Sequence, residues 1–168
     1  PFPGRLQPVL LPMGATVLRD DYNASIDVLE AGLRVLEEAS AERRLLVISD
    51  FSDFGKNSRH RRKYLGKHAA RVAEVAVLIG EQSEYGRKRA IEAGLRPDNV
   101  HAFRFLKEAA EFLKAELKPH DLVLLKGRTT DHVARVFFAQ LGEIKCWKEN
   151  CRRTILCDFC PELGASPR

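Results

Sequence analysis

The chain has 168 residues, of which 45% are hydrophobic and 30% are charged, and its net charge is +5. This length and composition are typical of one globular domain with room for a small appendage. No run approaches the roughly 20 apolar residues of a membrane span and no signal peptide is recognised, so we expect no membrane partner.

Apolar runs and amphipathic segments alternate along the chain. The predicted strands are Val9–Leu11, Ala15–Leu18, Leu45–Ile48, Val75–Ile79, Val100–Phe103 and Leu122–Leu125. The predicted helices are Ile26–Ala39, about 59–72, Ser83–Gly94, Leu106–Leu117 and Asp131–Leu141. We expect Ser25 and Ser83 to cap two of these helices and Gly94 to end one.

This alternation predicts an α/β fold: a three-layer, Rossmann-like, mostly parallel sheet with helices on both faces. Three of the strands are continuous apolar runs, which is typical of strands buried on both faces. The pattern breaks near residue 142. We therefore expect a sheet domain over residues 1–142 and a separate cysteine-rich tail over residues 143–168. Because the chain begins at Pro1 rather than Met, it is expected to be a fragment of a longer protein.

The tail contains all four cysteines of the chain: Cys146, Cys151, Cys157 and Cys160. Four thiolates satisfy tetrahedral Zn²⁺, and the C-x2-C spacing of the last two is common in zinc knuckles. A tail this short buries little surface, so a metal would supply much of its folding energy. The sequence predicts structural zinc; an iron–sulfur cluster, disulfides and free buried thiols are the alternatives.

The sequence lacks the usual loops that bind a triphosphate. The chain contains neither a G-x-x-x-x-G-K-[ST] loop nor a G-x-G-x-x-G fingerprint. Asp20 and Asp21 do stand where a strand ends and a helix begins, which suits a sugar hydroxyl or a metal-bound phosphate. Residues 126–128 also join a buried strand to a helix, where backbone N–H groups can bind an anion.

Four motifs follow one another along the chain. They are Gly4-Arg5-Leu6-Gln7; Asp20-Asp21-Tyr22-Asn23-Ala24-Ser25; Ser49-Asp50-Phe51-Ser52-Asp53-Phe54-Gly55 with His60 and Gly66; and Asp121-Leu122-Val123-Leu124-Leu125-Lys126-Gly127. In this order and spacing they resemble the C-terminal domain of the Mur ligases, over roughly residues 4–141. The nearest pattern within that family is that of the branch that adds D-alanyl-D-alanine to UDP-N-acetylmuramoyl-tripeptide.

The resemblance implies one part of a cytoplasmic, ATP-dependent amide-bond ligase of peptidoglycan synthesis. The partners it implies are the N-terminal and central domains of the same parent chain, a UDP-linked muramoyl peptide and an amino acid or dipeptide. ATP and Mg²⁺ would be held through the central domain, and this chain would close over the ATP. No catalytic residue is expected within this chain alone.

The resemblance also assigns roles by position. Four residues would contact the nucleotide: Arg5, Asp20, Tyr22 and Asn23. Four would lie near the amino substrate: Asp50, Lys126, Gly127 and Arg128. The chain departs from the family pattern at Ser25, Ser49, Phe51, Phe54 and Arg128. Several of these positions would touch the amino substrate, so ligation of another amine stays open.

A second function is compatible with the sequence. Much of the net charge of +5 lies in residues 56–63, and a basic cluster can contact phosphates. An α/β binding module could use this cluster and a zinc knuckle to engage nucleic acid or a protein partner. Nucleic acid is the less favoured partner, because aromatic residues do not interleave with the cluster.

Overall fold

A six-stranded sheet organises the part of the chain that the computed structural model describes, residues 2–49 and 67–164. Its strands are β1 (Gln7–Leu10), β2 (Thr16–Asp20), β3 (Arg43–Ser49), β4 (Val75–Ile79), β5 (Val100–Phe103) and β6 (Asp121–Lys126). The helices are α1 (Ile26–Glu38), α2 (Ser83–Glu92), α3 (Leu106–Glu116) and α4 (Ala134–Leu141), and residues 67–72 are also helical.

The strands lie in the order β1-β2-β6-β3-β4-β5. Only β1 is antiparallel to its neighbour, and every other pair is parallel. The predicted mostly parallel sheet is confirmed. Because β2 to β6 run in one direction, they end at one edge, which we call the carboxyl edge. The register sets Asp20 beside Lys126 there, with Ile48 on the other side of Lys126.

Successive side chains of a strand point to opposite faces of a sheet, so a continuous apolar strand needs cover on both. Leu46 and Ile48 of β3 pack in one core cluster with α1, the helical residues 67–72 and α2. Leu45 and Val47 pack in a second cluster with α3 and α4. Both faces are therefore covered, which confirms the predicted three-layer arrangement.

The tail packs against the second of these clusters. Ile144, Cys157 and Leu163 are buried among residues of α3, α4 and the sheet. The tail also closes on itself, because the Lys145 N–H donates to the Leu163 carbonyl oxygen at 2.9 Å. Over residues 143–164, its regular structure is limited to two 3-10 turns, Cys157–Phe159 and Pro161–Leu163. The stability of the tail therefore depends on what it packs against.

Several predicted boundaries differ from the observed ones. α4 begins at Ala134 rather than Asp131, because His132 has a φ of +53° and interrupts the helix. Ser83 is the first residue of α2, and Gln82 occupies its N-cap position. Gly94 follows α2 with a φ of +113°, as expected for a helix-ending glycine. None of the described helices combines the length and the apolar character needed to cross a membrane.

Candidate ligand-binding edge of the sheet

A buried ion pair lies at the centre of the carboxyl edge. Lys126 Nζ lies 2.6 Å from Asp20 Oδ2 and donates a second hydrogen bond to the Asn23 carbonyl oxygen at 2.6 Å. The other carboxylate oxygen of Asp20 accepts the Leu6 N–H at 3.3 Å. Burial lowers the pKa of Lys126, and the hydrogen bond to Asp20 opposes that shift. Both side chains are buried, so within this structure they hold the surrounding loops in place.

Three of the predicted nucleotide contacts gather above this pair. The Arg5 guanidinium carbon lies 4.4 Å from the Tyr22 ring centroid and 5.4 Å from that of Phe2. The Tyr22 and Phe2 rings meet edge to face at 5.2 Å. Arg5 and Asn23 are exposed and Tyr22 is half-buried. A cation and an amide are therefore open to solvent at one edge, next to a half-buried aromatic ring.

The N-terminal segment reaches this position through a close backbone contact. The Tyr22 N–H donates to the Gly4 carbonyl oxygen at 3.0 Å. Gly4 has a φ of +72°, and a Cβ there would lie 3.2 Å from the Tyr22 backbone nitrogen. Glycine suits both the positive φ and the close approach. This contact holds Arg5 beside Tyr22.

The loop after β6 is fixed by a second carboxylate. Asp131 accepts hydrogen bonds from the Arg128 backbone N–H at 3.0 Å and from its Nη2 at 2.8 Å. Asp131 also accepts the Ser49 hydroxyl at 2.8 Å. Gly127 is buried between these groups, since a Cβ there would meet Val133 Cγ1 at 2.5 Å and Ser49 Oγ at 2.7 Å. Arg128 is therefore tied to its own loop.

Several predicted residues lie outside the described part of the chain. Asp50, His60, Gly66 and the basic cluster at 56–63 all fall within residues 50–66. The nucleotide and substrate roles assigned to individual residues stay predictions.

A buried arginine that sequence reasoning missed joins the sheet to the tail. Arg19 of β2 donates to Asp21 at 2.9 Å and to the tail residue Asp158 at 2.6 Å. Its guanidinium carbon lies 4.6 Å from the Phe137 ring centroid. Burial alone would lower the pKa of Arg19, but the hydrogen bonds to Asp158 and Asp21 outweigh it and raise the pKa. For Asp21, burial is the larger effect and raises the pKa of its carboxyl.

The predicted four-cysteine zinc site is not supported. All four cysteines lie in the described residues as free thiols, and no three metal-ligating side chains converge anywhere in that part of the chain. Cys157 is buried in the core, and its Sγ lies 3.5 Å from Nδ1 of the buried His132. Burial raises the pKa of Cys157 to about 11. Cys151 and Cys160 are only half-buried, so the thiols differ in environment.

A cavity of about 720 Å³ opens at the same carboxyl edge. Its walls include Ser49 at the end of β3, Gly80 after β4, the first turn of α3 and residues 147–150 of the tail. Ligand sites of α/β sheets are expected at this edge, and the volume suits a small molecule. The sheet, with its exposed cation and its cleft, defines a doubly wound α/β domain of the class that binds ligands at the carboxyl ends of its strands.

The model of one family, "Mur ligase, glutamate ligase domain", matches residues 4–129, which is most of the chain. The chain therefore belongs to this family, and the resemblance drawn from its four motifs is confirmed.

Solved structures of Mur ligases have the same fold. One is a crystal structure of MurF from Acinetobacter baumannii, with 22% sequence identity and a TM-score of 0.71. The match covers 83% of this chain and 30% of the MurF chain. Another is MurF ligase from Thermotoga maritima, solved in complex with ADP, with 19% identity and a TM-score of 0.67. That match covers 83% of this chain and 31% of the ligase chain. This chain thus spans about a third of the length of those ligases.

A third match is itself a domain. It comes from a putative UDP-N-acetylmuramate:L-alanyl-γ-D-glutamyl-meso-diaminopimelate ligase of Haemophilus ducreyi. The match covers 82% of this chain and 97% of that domain, at 15% identity and a TM-score of 0.59. At these identities the likeness establishes the fold.

Proposed function

We propose that this chain is the C-terminal domain of a cytoplasmic, ATP-dependent amide-bond ligase of peptidoglycan synthesis. In the parent protein it would close over ATP and Mg²⁺ held by a central domain and hold the incoming amine. The acyl acceptor would be an amino acid or dipeptide, and the acyl donor a UDP-linked muramoyl peptide. Membership of the Mur ligase family is the observation that carries this proposal.

The exposed groups of the carboxyl edge fit a nucleotide. The Arg5 guanidinium is exposed and permanently charged, and its planar fork matches phosphate oxygens bidentately. The neighbouring Tyr22 ring and the Asn23 amide suit the less charged parts of a nucleotide. ATP would supply the phosphoryl group that activates the carboxylate. Arg5 would neutralise charge on its phosphates as the domain closes, and closure would exclude the water that competes with the amine.

The buried pair beneath these groups has a supporting role in this proposal. Lys126 holds the Asn23 carbonyl and the Asp20 carboxylate, which in turn holds Leu6 next to Arg5. The loops that carry Arg5, Tyr22 and Asn23 are thereby fixed relative to the sheet. Preorganised groups lose less entropy on binding, so this support would strengthen contact with the nucleotide.

An amide-ligation assay of the parent protein tests the proposal. The parent would be supplied with ATP, Mg²⁺, a UDP-linked muramoyl peptide and a panel of amino acids and dipeptides. We expect phosphate release that depends on one class of amine, with a matching amide product. Phosphate release unaffected by every amine of the panel would overturn the proposal.

A matched pair of arginine variants tests the nucleotide contact. Arg5→Ala is expected to weaken ATP binding by roughly tenfold to a hundredfold, because a charge-assisted hydrogen bond is lost. Arg96→Ala removes an exposed arginine that stands just before the start of β5, at the opposite edge of the sheet, and is expected to leave the affinity unchanged. Binding can be followed with a fluorescent ATP analogue without turnover. Equal affinities for the two variants would contradict the assignment of Arg5.

A further inference from the structure

The cysteine-rich tail forms one wall of the 720 Å³ cleft. Trp147 and Glu149 of the tail face the same space as Gly80 after β4 and Phe105 at the start of α3. The match to the family model ends at residue 129, so this wall lies beyond it. The cleft is therefore shaped partly by the family's sheet and partly by a segment outside the family match.

This wall is firmly held. Arg135 of α4 is buried and donates to the Lys148 carbonyl oxygen at 2.5 Å. Farther along the tail, Asp158 is bound to Arg19, and Leu163 is buried in the core. A binding surface needs this kind of support, because specificity is lost when its side chains can move away from the ligand.

The charges around the cleft are of both signs, and several are available. Arg104, Glu81 and Glu149 are exposed, and none of them forms an ion pair with another described residue. The other charged groups of the lining already have partners: Lys148 pairs with Glu162 at 2.7 Å, Lys107 with Glu111 at 3.9 Å and Asp131 with Arg128, and Glu108 accepts the Phe105 N–H at 3.3 Å. Among the described lining residues, the charges left without such a partner are one cation, Arg104, and two carboxylates, Glu81 and Glu149. A ligand that carries one carboxylate and one ammonium group complements this set.

Apolar surface accompanies these charges. The Phe105 ring lies next to Arg104, whose guanidinium carbon is 5.6 Å from the ring centroid, and Trp147 lines the cleft from the tail. Sites for small ligands combine apolar walls with a few polar groups that fix orientation. A volume of about 720 Å³ is enough for an amino acid or a dipeptide.

We infer that the tail is the specificity wall of the amine site, and that the ligand is a zwitterionic amino acid or dipeptide. Its ammonium group meets Glu149, its carboxylate meets Arg104, and Trp147 packs against its side chain. This inference rests on the proposed function, because only an amide-forming ligase requires such an amine. It adds that residues outside the family match select which amine is used.

Trp147 provides the readout, since it is the only tryptophan of the chain. The experiment titrates the chain with a panel of free amino acids and dipeptides and records tryptophan emission. We expect at least one zwitterionic amine to change the emission saturably, and the same compound without its amino group to have no effect. A panel in which no compound changes the emission would overturn the inference.

Pairs of variants that remove the same charge, one inside and one outside the cleft, test which residues bind the amine. Glu149→Gln is expected to raise the Kd of the best amine by about tenfold, through loss of a charge-assisted contact. Glu143→Gln also removes an exposed acid of the tail, but outside the cleft lining, and is expected to leave the Kd unchanged. Arg104→Gln is expected to behave like Glu149→Gln, with Arg152→Gln as its control. Equal Kd values for Glu149→Gln and Glu143→Gln would overturn the inference.

The fluorescence titration uses neither ATP nor turnover, so it separates the two proposals. If the parent ligates an amine and Glu149→Gln does not alter the choice among amines, the specificity wall is wrong and the ligase proposal stands. If Glu149 and Arg104 bind an amine but the parent forms no amide, the ligase proposal is wrong and the binding site remains.

Discussion

Lys126 Nζ and Asp20 Oδ2 lie 2.6 Å apart at the ends of two adjacent parallel strands, where both side chains are buried. Removing one member leaves the other as a buried, unpaired charge. Lys126→Met is therefore expected to lower the free energy of unfolding by about 3–5 kcal/mol. Adding Asp20→Leu should restore part of this loss, because no unpaired carboxylate remains. Urea unfolding of the two single variants and the double variant measures the coupling, and additive effects would contradict it.

The control is an exposed ion pair, which also joins one basic and one acidic side chain. Arg71 and Glu37 are 2.8 Å apart, but their side chains are 64% and 42% exposed. Exposed pairs contribute at most about 1 kcal/mol, because water solvates both partners when they separate. Arg71→Met should therefore change stability far less than Lys126→Met does.

The second prediction concerns the attachment of the tail. Asp158→Asn weakens the hydrogen bonds with Arg19, and we expect a loss of about 1–3 kcal/mol together with faster hydrogen exchange over residues 143–164. Asp21 still pairs with Arg19, which limits the loss. Glu162→Gln alters an exposed tail contact with Lys148 and should have a smaller effect. Similar exchange rates for the two variants would argue against Arg19 as the anchor.

A third prediction follows from the lowered pKa of His132, which is caused first by burial and then by nearby Arg135. The folded protein favours the neutral imidazole. At pH values between the lowered pKa and about 6.5, the unfolded chain therefore binds more protons than the folded protein. The stability that His132 contributes is fully present above about pH 6.5 and is lost as the pH falls. In His132→Asn this dependence should disappear, and asparagine tolerates the φ of +53°.

Unfolding free energies at pH 5.5 and 7.5 measure this difference. The pKa of His101 is also lowered, mainly by burial, but His101 is present in both proteins and its effect cancels. The stability of the wild type relative to His132→Asn should be greater at pH 7.5 than at pH 5.5. The opposite trend would mean that the folded protein favours the charged imidazole.

The fourth prediction concerns Gly127, where any side chain would collide with its surroundings. A Cβ at this position would approach Val133 Cγ1 to 2.5 Å, so Gly127→Ala should cost about 1–3 kcal/mol. Gly32→Ala is the comparison, because its nearest contacts are at 3.3 Å and alanine favours the helix. Thermal unfolding should rank Gly127→Ala as the more damaging change. The reverse ranking would show that the loop after β6 can relax.

The bounds of four of the six strands follow closely from apolar content. β4 and β5 match their predicted bounds, and β3 and β6 contain theirs. In β3, β4 and β6 a continuous apolar run leaves few alternatives. β1 was shifted: Val9–Leu11 was predicted and Gln7–Leu10 is observed. It is an edge strand, and Leu10 is 70% exposed, so apolar content is a poor guide to its limits.

The candidate site was only partly predictable. The motifs pointed to Arg5, Tyr22 and Asn23, which do lie together at the carboxyl edge. The contact of Arg19 with Asp158 spans 139 positions of sequence, and no local pattern encodes it. An arginine within an apolar strand was the available signal, since a buried charge needs a partner. The cysteine spacing was misleading, because spacing does not determine whether four thiols converge.

The hydrogen bond between Gly4 and Tyr22 fixes where the chain enters the domain. Any polypeptide that precedes residue 2 arrives beside the edge that carries Arg5, rather than at a remote surface. One residue inserted into such a connection would displace the guanidinium, relative to whatever precedes it, by up to about 3.5 Å. That distance exceeds the tolerance of a hydrogen bond, so the length of the connecting peptide is itself under physical constraint.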